Sequence, residues 1–106
     1  MRRSTFLSIT ETAGELAHGT ASVTGLVASA QQQIARFNPV YRAFSHLAGD
    51  VERQVSVLQA ELDSGKPRGP LHGLAMSVKG NIPVAGLPWT EGTAIHARRV
   101  AGRDAG

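Results

Sequence analysis

Between Gly65 and Gly92 the chain carries six glycines and four prolines. That density breaks long helices and strands alike, so this part must pass through tight turns in which backbone approaches other groups closely. Lys79 stands inside it, at the end of the short apolar run Leu74-Ala-Met-Ser-Val-Lys79. Leu74, Met76 and Val78 alternate with Ala75, Ser77 and Lys79, the two-residue period of a strand. The spacing predicts a strand that delivers one ammonium to its far end, where a Gly80-Asn-Ile-Pro83 turn begins. A long side chain at the carboxyl end of a strand is a common way to aim a charge into a site. The stretch is not a phosphate loop: it has no Gly-x-x-x-x-Gly-Lys-Ser/Thr run, and Lys79 precedes its glycine instead of following it.

The preceding residues read as helices. Ser8-Ile-Thr-Glu11 is a capping box, which starts a short helix running to about Ala17 and stopping near Gly19. Thr20 or Ser22 can cap a second helix. In it Val23, Leu26, Val27, Ala30, Ile34 and Phe37 form one apolar face, and Asn38-Pro39 is expected to end it. Tyr41-Arg-Ala-Phe-Ser-His-Leu47 reads as a short strand or extended piece. Asp50 caps a third helix through about Leu62, with Val51, Val55, Leu58 and Leu62 as its apolar stripe. After Gly92, residues 94–100 could begin a further helix, and Asp104 is expected to cap another.

The 106 residues have the size of one domain. With five aromatics, burial per residue would be modest; charged residues make up 18%, which is low for a freestanding soluble domain and argues for surface meant to be covered. With no cysteine, disulfides, thiolate metal sites and cysteine nucleophiles are excluded together. The net charge of +3 gathers partly at the two ends. It forms no basic stripe with interleaved aromatics, so nucleic acid is not the expected partner. Arg2-Arg3 with Phe6-Leu7, and Ala28-Ser29-Ala30 further on, have elements of an export signal. Glu11, Glu15 and His18 interrupt what should be its apolar core. No stretch approaches the ~18 apolar residues of a membrane span. A soluble, cytoplasmic protein is expected. The four histidines show no close pair of metal-ligand spacing, and no metal or cofactor is expected.

Gly69-Pro-Leu-His-Gly73, Val78-Lys79 and Asn81-Ile-Pro-Val-Ala-Gly-Leu-Pro88 resemble the first part of the amidase signature family. Trp89-Thr-Glu-Gly-Thr93 fits the family's next turn loosely, and the likeness extends weakly from about Ser8 to Asp104-Ala105. The resemblance implies an α/β fold: the N-terminal part of a mixed, mostly parallel sheet with helices on both faces. Here that part would hold three helices and about two short strands, as one incomplete domain over 1–106, helical in 1–64 and Gly/Pro-rich in 65–106. It also implies hydrolysis of a carbon–nitrogen amide bond in a small-molecule substrate by a Ser-Ser-Lys set without cofactor. The role of Lys79 would be that of the base, acting through a bridging serine on the nucleophilic serine. Two departures stand out. Gly80 takes the place of the family's usual Asp, and the Gly/Ser-rich segment carrying both serines is absent from these residues. The 106 residues alone are therefore expected to be inactive.

Other readings compete. From spacing alone, Lys79 could be a charge that ends an edge strand and discourages aggregation. Ser77, two residues earlier on the same strand face, would lie ~6.5–7 Å from Lys79 at the side-chain bases, and could form a self-contained pair with it. His72 is expected to make a backbone hydrogen bond in its turn, and Trp89 to pack in a loop. The chain could also be a non-catalytic helical module that docks on another chain. Within the family, an amidotransferase component that releases ammonia is the alternative to an amidase.

Overall fold

The computed structural model of the chain describes residues 7–106. The arginine pair and Phe6, with which an export signal would begin, lie outside the described residues. Three helices occur in order, α1 (Ile9–His18), α2 (Val23–Tyr41) and α3 (Val51–Asp63), followed by a 3₁₀ turn at Ala94–His96. The residues gather into two compact units, residues 7–45 with 49–75, and residues 46–48 with 76–106. Among the described residues no helix is long and apolar enough to cross a membrane.

Helix α1 starts as its sequence dictates. The Ser8 hydroxyl accepts from the Glu11 N–H at 3.0 Å and the Glu11 carboxylate accepts from the Ser8 N–H at 2.8 Å. These bonds satisfy two donors that the helix itself leaves free. Gly19 closes α1 in the left-handed conformation at φ 75°, which glycine adopts without steric cost. Leu16 is its buried residue.

Helix α2 is capped by Ser22, which accepts from the Gly25 N–H at 3.0 Å. A side chain of α3 assists: the Gln59 carbonyl accepts from the Thr24 N–H at 3.2 Å. The predicted apolar face is present except at Phe37, which is 40% exposed. Val23 is fully buried, and Leu26, Val27, Ala30 and Ile34 are half-buried. The helix packs on α3, whose stripe of Val51, Val55, Leu58 and Leu62 is half-buried. Asp50 precedes α3 but does not cap its backbone. Its carboxylate accepts from Arg53 at 2.7 Å and Gln54 at 2.8 Å.

Proline does not end α2, contrary to expectation. The helix continues through Pro39 to Tyr41 and stops at Arg42, which is left-handed at φ 52° and gives its N–H to Asn38 O. Proline forfeits one ladder bond there, while its fixed φ suits a helix. The expected strand over 41–47 does not form either. The Asn38 side-chain amide takes both backbone groups of Phe44, donating to its carbonyl and accepting from its N–H, each at 2.9 Å. That clamp uses the bonds a ladder would need.

The second expected strand is also missing. Residues 74–79 have no regular secondary structure, and Met76 is 84% exposed. Among the described residues no strand forms, and Pro88 and Val100 make an isolated antiparallel bridge. The mixed, mostly parallel sheet of the expected α/β fold is therefore not seen; its helical part is. The physical reason is that a strand is defined by its neighbours: an alternating pattern marks a segment able to pair, and residues 74–79 have no partner here.

The first unit is closed by the Gly69-Pro-Leu-His-Gly73 turn. The His72 N–H bonds to Gly69 O at 3.1 Å. The imidazole, 2% exposed, is used at both nitrogens. Its Nδ1 accepts from the Arg68 N–H at 3.0 Å and Nε2–H donates to Leu58 O of α3 at 2.8 Å. Those partners define the neutral, Nε2-protonated tautomer. The expected backbone role of His72 is met twice over. Beside it Arg68 grips Glu61 of α3 with two bonds of 2.8 and 2.7 Å. This pairing holds the Glu61 carboxyl below its ordinary value and raises Arg68 above its own. Gly73, at φ 82°, lies so close to α2 that a Cβ there would meet Val23 Cγ2 at 2.6 Å.

Gly73→Ala should therefore lower the unfolding free energy by about 2–4 kcal/mol, combining overpacking against Val23 with left-handed strain; urea denaturation followed by far-UV circular dichroism measures it. Glu61 contributes stability that is present above its ordinary value of 4.5 and lost as pH falls through its lowered folded value. Arg68→Gln should thus flatten the acid side of the stability–pH curve relative to the parent, while leaving the shape above pH ~5 unchanged.

Candidate functional site

Lys79 lies in the second unit at the entrance to a turn. Its carbonyl accepts from the Ile82 N–H at 3.0 Å, which closes the turn Lys79-Gly-Asn-Ile82. The side chain is exposed, and among the described residues no carboxylate pairs with it. Lys79 is placed by this turn instead of by a strand end. Ser77 is exposed as well, in a segment that pairs with no neighbouring strand.

Gly80 follows Lys79 with a backbone outside the left-handed region, and a Cβ built there would find only the Glu91 nitrogen at 4.0 Å. Nothing in this backbone requires glycine. The expected aspartate position is open to a side chain, and its absence is a matter of sequence, not of space.

The segment after the turn is folded back on itself. Gly86 N–H bonds to Ala101 O at 2.9 Å and Ala101 N–H to Leu87 O at 3.0 Å, while Trp89 N–H bonds to Arg99 O at 2.9 Å. Ala101 is buried. The helix expected over 94–100 is cut to a single 3₁₀ turn at Ala94–His96, because Arg99 and Ala101 give their backbone to this pairing. Asp104 caps no helix; its carboxylate accepts from the Ala85 N–H at 2.8 Å. Trp89 packs in its loop, half-buried, with its indole N–H toward Asn81 O at 3.4 Å.

Sequence reasoning missed Arg99 and Glu91. Arg99 lies over the Trp89 ring at 3.8 Å, donates from Nε to Trp89 O at 2.6 Å and pairs with Glu91 at 3.3 Å. A stacked cation of this kind contributes about 0.5–2 kcal/mol. No periodicity marks it, since a tryptophan and an arginine ten residues apart meet only when the chain between them reverses. Glu91 and Gly92 are both left-handed, at φ 53° and 71°, and Thr93 N–H returns to Thr90 O at 3.0 Å. That is the geometry of a primed hairpin turn. No group of three or more metal-ligating side chains occurs among the described residues. His72, in the first unit, is already committed at both nitrogens.

Gly80→Asp should fold normally, with an unfolding free energy within about 1 kcal/mol of the parent, because the site has room and the substitution restrains the unfolded chain. Thermal denaturation of the purified variant checks this.

These features can be set beside known proteins. The sequence model of the amidase family matches residues 25–106. An acylamidase of Rhodococcus erythropolis is 30% identical over 97 residues, covering 91% of this chain and 20% of that protein. A component of the glutamyl-tRNA(Gln) amidotransferase of Salinispora arenicola is 33% identical over 97 residues, covering 88% of this chain and 19% of that one. The chain thus spans about one fifth of the length of these curated relatives. The match takes in α2 from Gly25 onward, α3, the Gly-Pro-Leu-His-Gly turn and the whole Lys79 turn, and on it the chain belongs to the amidase family.

Proposed function

We propose that these residues are the lysine-bearing, N-terminal part of an amidase domain, and that the whole protein cleaves a carbon–nitrogen amide bond with Lys79 as the base of a Ser-Ser-Lys set. The observation that carries this reading is the position of Lys79. It falls inside the family match, at the mouth of a closed turn, with its ammonium uncommitted to any carboxylate among the described residues.

The chemistry sets a condition. A lysine accepts a proton only when its neutral form is populated; water holds the ammonium near pH ~10.4, and burial lowers that value because the charged form loses solvation. The lysine would then draw a proton from a bridging serine, which draws one from the nucleophilic serine as that oxygen attacks the amide carbonyl. Backbone N–H groups would hold the oxyanion, and collapse of the tetrahedral adduct would release the amine. Lys79 is exposed in these 106 residues, which contain neither serine segment. The base role therefore requires further chain around it, and these residues by themselves turn over no amide. The acylamidase relative supports a small-molecule acyl amide as substrate. The amidotransferase relative supports a second reading, release of ammonia from a carboxamide side chain.

The test is a chimera in which the 106 residues replace the matching stretch of the acylamidase. Hydrolysis of an acyl anilide and release of ammonia from glutamine would be followed side by side. Turnover of either is expected to fall by about 10²–10⁴-fold in Lys79→Ala, with the fold unchanged by circular dichroism. Full turnover in Lys79→Ala would remove the lysine from the mechanism. It would leave the non-catalytic docking module as the better reading.

A further inference from the structure

We infer that Arg99 is a positioning residue for Lys79, acting through Trp89 and Glu91; this rests on the reading of Lys79 as the base. The turn that begins at Lys79 is closed internally by the Ile82 N–H on Lys79 O at 3.0 Å. Its two middle carbonyls are held from outside. Gly80 O accepts from the Glu91 N–H at 3.1 Å, and Asn81 O lies 3.4 Å from the Trp89 indole nitrogen that donates to it. Both donors belong to the 89–91 segment, and Arg99 grips that segment at three points. Its guanidinium lies 3.8 Å from the Trp89 ring centroid, its Nε–H reaches Trp89 O at 2.6 Å, and its Nη2 stands 3.3 Å from the Glu91 carboxylate.

Glu91 shows that the grip has a task. Its φ of 53° is left-handed, a conformation that a residue with a Cβ keeps only where its surroundings hold it. The Glu91 N–H that meets Gly80 O comes from this very residue. Release of Glu91 into an extended conformation would turn that N–H away and free the carbonyl next to Lys79. A planar guanidinium can stack, donate from Nε and face a carboxylate at once; an ammonium cannot. Arg99→Lys thus keeps the charge and loses the device.

The 106-residue chain allows a direct test. It contains one tryptophan and two lysines, Lys66 and Lys79. The indole N–H therefore gives a single resonance, and Lys66, in the other compact unit, serves as an internal standard. In Arg99→Lys, exchange of the indole N–H with solvent should quicken on the order of tenfold as its local protection is lost. The Gly80 and Asn81 amide resonances and the assigned Lys79 Cε–H resonances should shift, and acylation of Lys79 by an N-hydroxysuccinimide ester, read by peptide mapping apart from the lysine introduced at position 99, should change relative to Lys66. The α3 amide resonances should stay in place. Trp89→Phe, which keeps an aromatic face for Arg99 but removes the indole donor, should shift Asn81 and Lys79 in the same direction by a smaller amount. Arg99→Lys with Gly80, Asn81 and Lys79 unmoved would overturn the proposal. If Arg99→Lys fails to fold, Trp89→Phe with Asn81 and Lys79 unmoved does the same. The base role of Lys79 is read separately from Lys79→Ala turnover, so failure of that role and failure of the positioning device give different results.

Discussion

Much of the helical unit depends on the close approach of Gly73 to Val23. Val23 is fully buried at the first turn of α2, and Gly73 leaves it no room for a neighbouring Cβ. One residue earlier, His72 spans from the backbone of Arg68 to the carbonyl of Leu58 on α3. The Gly-Pro-Leu-His-Gly turn thereby ties the first turn of α2 to the middle of α3 without a large side chain. Its glycine gives proximity and its histidine gives two directed bonds. The histidine in this turn is structural because both of its nitrogens are spent on backbone.

The second unit is organised by different means. It contains no helix longer than a 3₁₀ turn, and Ala101 is its buried side chain among the described residues. Paired backbone between residues 86–89 and 99–101 supplies the frame, and the Arg99–Trp89 stack covers it. Hydrogen bonds and one cation–π contact do here what apolar burial does in larger domains. Such a frame is specific in direction and small in stabilisation, since each backbone bond contributes about 0.5–1.5 kcal/mol net.

Exposure of apolar side chains is the common mark of both units. Val40, Tyr41 and Leu71 in the first, and Met76, Ile95 and Val100 in the second, are each more than half exposed. The low charge content foreshadowed this. The family relatives, about five times as long, bring further chain, and covering such residues is the hydrophobic effect's ordinary use. An unpaired Leu74-to-Lys79 segment and an exposed Lys79 belong to the same situation.

What the sequence determined alone is local. The Ser8–Glu11 capping box, the Gly19 stop, the Ser22 cap and the apolar stripes of α2 and α3 were legible, because each rests on contacts three or four residues apart. The Lys79 motif was legible as a resemblance for the same reason: it is one contiguous stretch. The tertiary structure decided what depends on distant partners. Pro39 stayed inside α2 because the chain ends that helix at Arg42, with Asn38 holding Phe44. The 74–79 pattern stayed unpaired, for alternation marks a segment able to join a sheet but cannot supply the adjoining strand. The turn that sets Lys79 is anchored by Glu91, Trp89 and Arg99, residues about 10–20 positions away, which no short-range signal connects. Physical reach is the dividing line: helix caps and apolar periods are read within one turn of chain, whereas strands and clamps exist only once the backbone has reversed.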